Sequence, residues 1–202
     1  KFSTKRPPKG GFLVAYTQAM NSAELLPLIE SFTPIDDHEH DAQKRTIDFL
    51  KRTPGIPWSR KNFDDGHVCA SAWVLNHEGT KALLFNHKKL GKWIQIGGHS
   101  EEEDVDFFDA AEREIREETG LDEIEYAREA FDLDVHVYPP KGDEPEHLHY
   151  DLRILARAKE GAETVVQEEE SSGLKWVPLS DIQNMNTDES VMHTARKSMR
   201  VA

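Results

Sequence analysis

The stretch from Gly97 to Leu121 constrains the fold of this chain more than any other segment. It opens with two glycines, where the missing Cβ atoms let the backbone approach a ligand closely. It continues as a Glu-rich helical pattern that ends at Gly120, a residue suited to the left-handed conformation of a helix C-cap. Apolar residues recur at helical spacing on the other face of this helix, which predicts that this face packs on a core: Val105, Phe108, Ala111 and Ile115.

Three carboxylates share one face of the predicted helix. Glu114, Glu117 and Glu118 stand at positions i, i+3 and i+4, and like charges at this spacing destabilise a helix. Carboxylate oxygens are also the ligands that Mg²⁺ prefers, so a bound cation would relieve the repulsion. A solvated acidic helix face is the simpler interpretation, but the glycine turn upstream and Arg113 inside the cluster favour a cation site.

The residues from Arg113 to Leu121 resemble the second half of the Nudix hydrolase signature. They read Arg-Glu-Ile-Arg-Glu-Glu-Thr-Gly-Leu and match that half throughout. The first half departs from the signature, because Gly98 and Arg113 are one position further apart than in the family, which indicates an insertion within Ser100–Asp104. The acid that the family places between them is therefore open among Glu103, Asp104 and Asp106.

The resemblance implies a fold and an activity. The fold is a Nudix-like α/β/α sandwich with a mixed sheet. The activity is that of a metal-dependent pyrophosphohydrolase that cleaves a nucleoside diphosphate linked to another moiety, with Mg²⁺ or Mn²⁺ as cofactor. It implies that Glu117 and Glu118 bind the metal, with Glu114 as a ligand or the catalytic base and the backbone carbonyl of Gly97 or Gly98 as a further ligand.

The resemblance also implies two supporting roles. Arg113 is expected to hold the carboxylate array through charge-assisted hydrogen bonds rather than to touch substrate. Family members often take a further acid from a loop before the last strand, so Glu170 or Glu169 is a candidate catalytic base or ligand here. The alternative for that loop is an exposed acidic turn.

Alternating polar residues on two strands provide candidate substrate contacts. In the run from His147 to Arg153 the side chains of His149 and Arg153 share one strand face, and the preceding strand alternates in the same way. If the two strands pair, this polar face could contact phosphate or a leaving group. Arg60, in a basic island of an acidic chain, is a third candidate for binding substrate. For all three the alternative is a solvated surface.

The chain divides into a helical extension and a catalytic domain. Residues 1–62 are expected to form an N-terminal helical extension that serves as a cap or as a homodimer contact, and residues 63–202 the Nudix hydrolase domain. The extension holds predicted helices at Ser22–Phe32 and His38–Arg52. Predicted strands are Val68–Leu75, Lys81–Phe85, Trp93–Ile96, Phe131–Tyr138, His147–Ala158 and Leu174–Val177, followed by helices at Ser180–Met185 and Ser190–Arg200.

Composition narrows the partners. The 202 residues carry a net charge of −13, which argues against broad contacts with nucleic acid or an anionic membrane. Cys69 is the single cysteine; it lies in an apolar run, which predicts a buried, inert thiol in a reducing cytoplasm. No apolar run approaches the ~20 residues of a membrane span, and the run Gly11–Tyr16 is too short for a signal peptide. A cytoplasmic enzyme with a small-molecule substrate is expected.

Two other functions compete most directly with the hydrolase, and a third, RNA decapping, would need contacts to a polyanion that the net charge of −13 discourages. A non-catalytic nucleotide-binding module could share the fold, because a fold does not guarantee an activity. An isopentenyl diphosphate isomerase of the same fold needs a cysteine near the glycine turn, whereas Cys69 lies in an earlier strand. The intact Arg-Glu-x-x-Glu-Glu sequence favours the hydrolase over both.

Overall fold

The computed structural model describes residues 21–140, 142–165 and 171–201. The helices in these ranges are α1 (Ser22–Ser31), α2 (Asp37–Arg52), α3 (Phe107–Thr119) and α4 (Glu189–Val201), with a 3-10 helix at Leu179–Asn184. The strands are β1 (His67–Leu75), β2 (Lys81–His87), β3 (Lys92–Ile94), β4 (Ile96–His99), β5 (Ile124–Tyr126), β6 (Asp132–Tyr138), β7 (His147–Ala158) and β8 (Ser171–Pro178).

The strands form one mixed sheet around a parallel pair. β1 and β7 run parallel at the centre, from His67 opposite His149 to Leu75 opposite Arg157. β1 also pairs antiparallel with β2 and β4, and β7 pairs antiparallel with β5 and β6. β3 and β8 extend the β2 side of the sheet. The sheet therefore branches on both sides of its central pair.

Helices cover both faces of this sheet. Even-numbered residues of β1 pack with α1, α2 and α3 in the larger core, which includes Ile29, Phe49, Ala70, Ile115 and Leu152. Odd-numbered residues further along the same strand pack with α4 and the 3-10 helix in a second core, which includes Trp73, Leu75, Leu84, Ile182 and Val191. The expected α/β/α sandwich with a mixed sheet is confirmed.

The N-terminal helices pack on the same core as strands β1 and β7. Phe49 of α2 is fully buried and stacks on Tyr150 of β7, with ring centroids 4.1 Å apart. A buried ion pair of 2.6 Å joins Glu39 of α2 to Lys197 of α4. The helical extension is thus tied to both the sheet and the C-terminal helix.

Local interactions explain where α3 begins and ends. The Asp106 side chain accepts hydrogen bonds of 2.9 Å from the N–H groups of Phe108 and Asp109, so it caps the N-terminus. Gly120 has a φ of 70° and donates its N–H to the Arg116 carbonyl at 2.9 Å, as predicted for the C-cap. The Glu-rich helix is therefore delimited by its own sequence.

Several expected boundaries shift in the structure. The single strand expected at Trp93–Ile96 is two short strands, β3 and β4, separated by Gln95, whose side chain bonds the Asp151 carboxylate at 3.0 Å. The closing helix expected at Ser180–Met185 is a 3-10 helix, and the three-residue strand β5 was not predicted. None of the helices in the described ranges is long and apolar enough to cross a membrane.

Candidate active site

The glycine turn at the end of β4 lies directly against the carboxylates of α3. Gly97 donates its backbone N–H to Glu118 Oε2 at 2.9 Å. A Cβ atom at Gly98 would lie 2.9 Å from Glu114 Oε1, so only a glycine leaves room for that carboxylate. Glu118 is 7% exposed, whereas the side chain of Glu117 is 59% exposed. Glu114 and Glu118 thus contact the glycine turn, whereas the carboxylate of Glu117 reaches solvent.

Arg113 forms hydrogen bonds with several protein groups. Its Nη1 donates to Glu114 Oε1 at 3.0 Å and to Glu117 Oε2 at 2.9 Å, and its Nη2 donates to the His99 carbonyl at 2.8 Å. Burial alone would lower the pKa of Arg113, but its hydrogen bonds to Asp104 and the charges of Glu114, Asp104 and Glu117 raise it further above its already high usual value. These contacts suit a residue that positions the carboxylates.

Asp104 is the acid that anchors Arg113. It accepts from Arg113 Nε at 3.0 Å and from Nη2 at 3.1 Å, a bidentate pair, and it is 4% exposed. Of the other two acids left open by the sequence, Glu103 is exposed and Asp106 caps α3. Of the three acids that the sequence left open, Asp104 is therefore the one that contacts Arg113.

The acids around Arg113 are of the donor type that a hard divalent cation prefers. Three carboxylates, from Asp104, Glu114 and Glu117, contact the single guanidinium of Arg113, and Glu118 adds a fourth acid at the turn. This excess of negative charge, made of oxygen donors beside a backbone turn without Cβ atoms, is the chemistry that Mg²⁺ and Mn²⁺ require. Glu170 and Glu169 lie outside the described residues.

Arg60 lies in the loop after α2 and is accessible. Its side chain is 57% exposed and its Nη2 is 4.0 Å from Glu144 Oε1, a distance at which a surface ion pair contributes little. Arg60 is therefore available for an anionic ligand, and its role in binding substrate stays a prediction.

Arg153 does not line a substrate surface, contrary to expectation. It is 1% exposed, and its guanidinium donates to Asp151, Asp132 and Thr194 at distances between 2.7 and 2.9 Å. The second amino group donates to Ser190 Oγ at 2.6 Å. The predicted face exists, but α4 covers it, so this arginine holds buried carboxylates together and cannot reach a phosphate.

His149 is also enclosed rather than open to substrate. It is 6% exposed and stacks on Tyr138, with ring centroids 4.5 Å apart. Burial, together with the neighbouring histidines, holds the pKa of His149 well below its usual range, and burial likewise lowers the pKa of His67 to about 4. A buried, neutral imidazole would not attract phosphate by charge, and the substrate-binding role of His149 stays a prediction.

Cys69 is buried, as predicted, but its neighbours were not foreseen. Burial and the charges of Asp151 and Glu114 raise the pKa of its thiol well above the usual value, so it is protonated. Cys69 lies opposite His99 across the β1–β4 pair, next to the glycine turn. The His-x-Cys of β1 and the Gly-Gly-His of β4 were visible signals, but only the strand register shows that they meet.

Comparison with known proteins places most of the chain in one family. The model of the NUDIX domain matches residues 65–196, well over half of the chain. Among proteins with curated descriptions, none matches the sequence closely enough to count as a relative.

Solved structures share the fold. The structure is similar to a binary complex of the Caenorhabditis elegans Ap4A hydrolase, with 19% identity, a TM-score of 0.54, and 66% of this chain and 96% of that chain covered. It is also similar to the NUDIX domain of Shewanella oneidensis NrtR complexed with ADP ribose, with 19% identity and a TM-score of 0.50, covering 71% and 94%. A MutT NUDIX hydrolase from Burkholderia pseudomallei gives 23% identity and a TM-score of 0.50, covering 66% and 98%.

Proposed function

Because this chain belongs to the NUDIX domain family and is a hydrolase of diphosphate bonds, we propose that it is a Mg²⁺- or Mn²⁺-dependent pyrophosphohydrolase whose substrate is a nucleoside diphosphate linked to another moiety. Water attacks one phosphorus atom, the bridging P–O bond breaks, and two phosphorylated fragments leave. The water supplies an OH to one fragment and a proton to the other.

The observation that carries this proposal is the seating of the α3 carboxylates on the glycine turn. Glu118 is fixed by the Gly97 N–H at 2.9 Å, and Glu114 is fixed by Arg113 at 3.0 Å. A solvated acidic face would have no such fixed geometry. Preorganised acids at a backbone turn suit a site that must hold a metal ion and a diphosphate together.

Within the proposed mechanism each acid has a place. Glu117 and Glu118 would hold the divalent ion, and Glu114 would share it or accept the proton of the attacking water. When bound, such an ion supplies charge neutralisation on the phosphates and lowers the pKa of a coordinated water. Arg113, anchored by Asp104, orients Glu114 and Glu117, and Arg60 lies exposed where an anionic ligand could reach it.

The nucleotide part of the proposal rests on the sequence resemblance and on two of the structural neighbours. One is named for Ap4A and another was solved with ADP ribose, and both are nucleoside phosphates joined to a second group. The substrate therefore has to be identified by assay.

The test is release of phosphate or nucleotide from a panel of diphosphate compounds with Mg²⁺, with Mn²⁺ and with EDTA. The panel includes ADP-ribose, nucleotide sugars, dinucleoside polyphosphates, NADH and nucleoside triphosphates. Glu117→Gln should lower kcat at least about 100-fold, which corresponds to about 2.7 kcal/mol of transition-state stabilisation. Glu103→Gln makes the same charge change at an exposed position just before α3 and should leave turnover unchanged.

Other outcomes point to the competing functions. Nucleotide binding without turnover of any compound would favour the non-catalytic module, and turnover that survives Glu117→Gln would mean that the metal site lies elsewhere.

Isopentenyl diphosphate isomerase activity is also tested, because the structure weakens the sequence argument against it. Cys69 precedes the glycine turn in the chain, yet in the fold it faces His99 beside that turn. The panel therefore includes isopentenyl diphosphate, with allylic product as the readout. Cys69 is only 5% exposed and its thiol is protonated, and both properties argue against a reactive thiol.

A further inference from the structure

Three strands bring a second group of metal-binding side chains together, away from the α3 carboxylates. The group, called here the histidine–cysteine cluster, consists of His67, Cys69, His99 and His149. His67 lies opposite His149 in the parallel β1–β7 pair, and Cys69 lies opposite His99 in the antiparallel β1–β4 pair. Because residues two apart on a strand share a face, all four side chains lie on the same face of the sheet.

The cluster is compact and buried. One potential ligand atom from each side chain lies within 4.8 Å of the others. His67 is 1% exposed, and neither of its ring nitrogens has a hydrogen-bond partner of acceptable geometry. Buried polar atoms without partners are costly, so such a residue calls for an explanation. A tetrahedral Zn²⁺ with bonds of about 2.0–2.3 Å would bring its ligands to about 3.5 Å apart, which needs side-chain shifts of about 1 Å.

A neighbouring histidine orients one of the ligands. The Nδ1 atom of His147 is 2.7 Å from the Pro145 carbonyl, which can only accept, so Nδ1 of His147 donates this bond. The Nε2 atoms of His147 and His149 are 3.1 Å apart, and when Nε2–H of His149 donates this bond, the lone pair of His149 is on Nδ1. Metal-binding histidines are commonly held in this way by a hydrogen bond from the other ring nitrogen.

The cluster is separate from the α3 carboxylates. Strand alternation turns Gly98 toward Glu114 and turns His99 toward Cys69, on opposite faces of β4. The donors also differ, since imidazole and thiolate select Zn²⁺ and related transition metals, whereas carboxylates select Mg²⁺ and Mn²⁺.

A second compact group in the described part of the chain does not qualify as a metal site. Glu39, Asp132 and His193 lie together. The two carboxylates are already paired with Lys197 at 2.6 Å and Arg153 at 2.8 Å. Each buried carboxylate of this group thus has a cation of its own, whereas three carboxylates share the single cation of Arg113 at α3.

We propose that the histidine–cysteine cluster binds one Zn²⁺ ion in a closed, four-ligand site that ties β1, β4 and β7 together beside the glycine turn. Three imidazole nitrogens and the Cys69 sulfur coordinate the ion, and the thiol proton is released to solvent as the Zn–S bond forms. With four protein ligands no open position remains for a substrate, so the ion serves the structure.

The test uses the full chain, stripped of metal and titrated with Co²⁺ in the presence of excess Mg²⁺. Tetrahedral Co²⁺ bound to a thiolate gives visible d–d bands and a near-ultraviolet sulfur-to-metal charge-transfer band. We expect both bands to saturate at one Co²⁺ per chain and to disappear when one equivalent of Zn²⁺ is added. Saturation at no clear stoichiometry, or bands that Mg²⁺ suppresses, would overturn the proposal.

Variants identify the ligands. Cys69→Ala keeps a small apolar side chain at a buried position and should abolish the charge-transfer band, while His67→Asn should weaken Co²⁺ binding at least 100-fold. His40→Ala removes an exposed histidine of α2, and Glu117→Gln alters the α3 carboxylates; both should leave the spectrum unchanged. A charge-transfer band that persists in Cys69→Ala, or is lost in Glu117→Gln, would refute the assigned ligands. If His67→Asn does not fold, the wild-type titration and Cys69→Ala still decide the matter.

Discussion

Replacing Arg153 by Met should destabilise this protein by about 3–5 kcal/mol, the range observed when one partner of a buried ion pair is removed. Arg153 is 1% exposed and bridges Asp151, at 2.7 Å from Nη2, to Asp132, at 2.8 Å from Nη1. A third carboxylate, Asp134, lies 3.8 Å away. Methionine fills a similar volume but leaves these buried charges without their central cation.

The electrostatic origin of this loss gives it a pH dependence. Burial by itself raises the pKa of Asp132 and of Asp134, but hydrogen bonds to histidine and the charge of Arg153 lower both pKa values well below the usual range. In the parent, the ionised carboxylates of Asp132 and Asp134 stabilise the fold fully above the unfolded pKa of aspartate, about 3.9. This stabilisation is lost only as the pH falls toward their lower folded pKa values. Arg153→Met removes one of the charges that lower these pKa values while the hydrogen bonds to histidine remain, so both pKa values rise relative to the parent and protonation can relieve the variant at a higher pH.

Urea unfolding at pH 7 and pH 5 is the assay, and the deficit of Arg153→Met should be smaller at pH 5. Arg153→Lys keeps the charge but loses the planar fork, so it should fall between parent and Met variant. Arg157→Met is the control: Arg157 lies four residues further along β7, and its hydrogen bond to the His77 carbonyl is exposed. This variant should lose less than about 1 kcal/mol of unfolding free energy. A deficit below about 1 kcal/mol at pH 7, or one independent of pH, would refute the reasoning.

Three further predictions concern the glycine turn and the C-terminal helix. Gly98→Ala should retain the parent Tm but lose at least tenfold in kcat, about 1.4 kcal/mol, because its methyl group would lie 2.9 Å from Glu114 Oε1 and push that carboxylate away from Arg113 without moving the backbone. Gly97→Ala should instead lower Tm in a melting scan, since its φ of 139° and a backbone atom of β1 at 2.5 Å both oppose a Cβ; an unchanged Tm would contradict this. Contact with Asp132 raises the pKa of His193. Protonated His193 therefore stabilises the fold fully below its unfolded pKa of about 6.5, and this stabilisation is lost as the pH rises through the folded pKa. The stability difference between parent and His193→Gln, measured by urea unfolding, should therefore shrink from pH 6 to pH 8.5.

The Glu-rich helix could be predicted from the sequence because its determinants are local. The spacing of Glu114, Glu117 and Glu118 and the C-cap at Gly120 all lie within a few turns of one another. Asp104 could not be singled out in advance, because it belongs to an irregular loop in which no periodicity indicates direction. Its role appears only when Arg113 folds back onto it.

The fate of the polar strand faces depended on distant elements. Alternation along β7 correctly gave Arg153 and His149 a common face, but it cannot tell whether another element covers that face. Ser190 and Thr194 of α4 close over Arg153, and β1 and β4 bring other rings against His149. These contacts join residues far apart in sequence. The sequence therefore indicated that Arg153 and His149 share a polar strand face, but it could not indicate that this face is buried.

The parallel pairing of β1 with β7 also sets the order in which this protein can assemble. His67 meets His149 only when a loop of about 80 residues closes, which costs about 4 kcal/mol of chain entropy before any contact compensates for it. The isolated α3 segment can sample helix on its own, yet β4 needs β1 as its partner and β1 needs β7 to complete the sheet. A nascent chain that has not yet released β7 therefore carries Glu114, Glu117 and Glu118 without the sheet that arranges them, so the proposed activity should emerge abruptly, late in synthesis, and together with global folding.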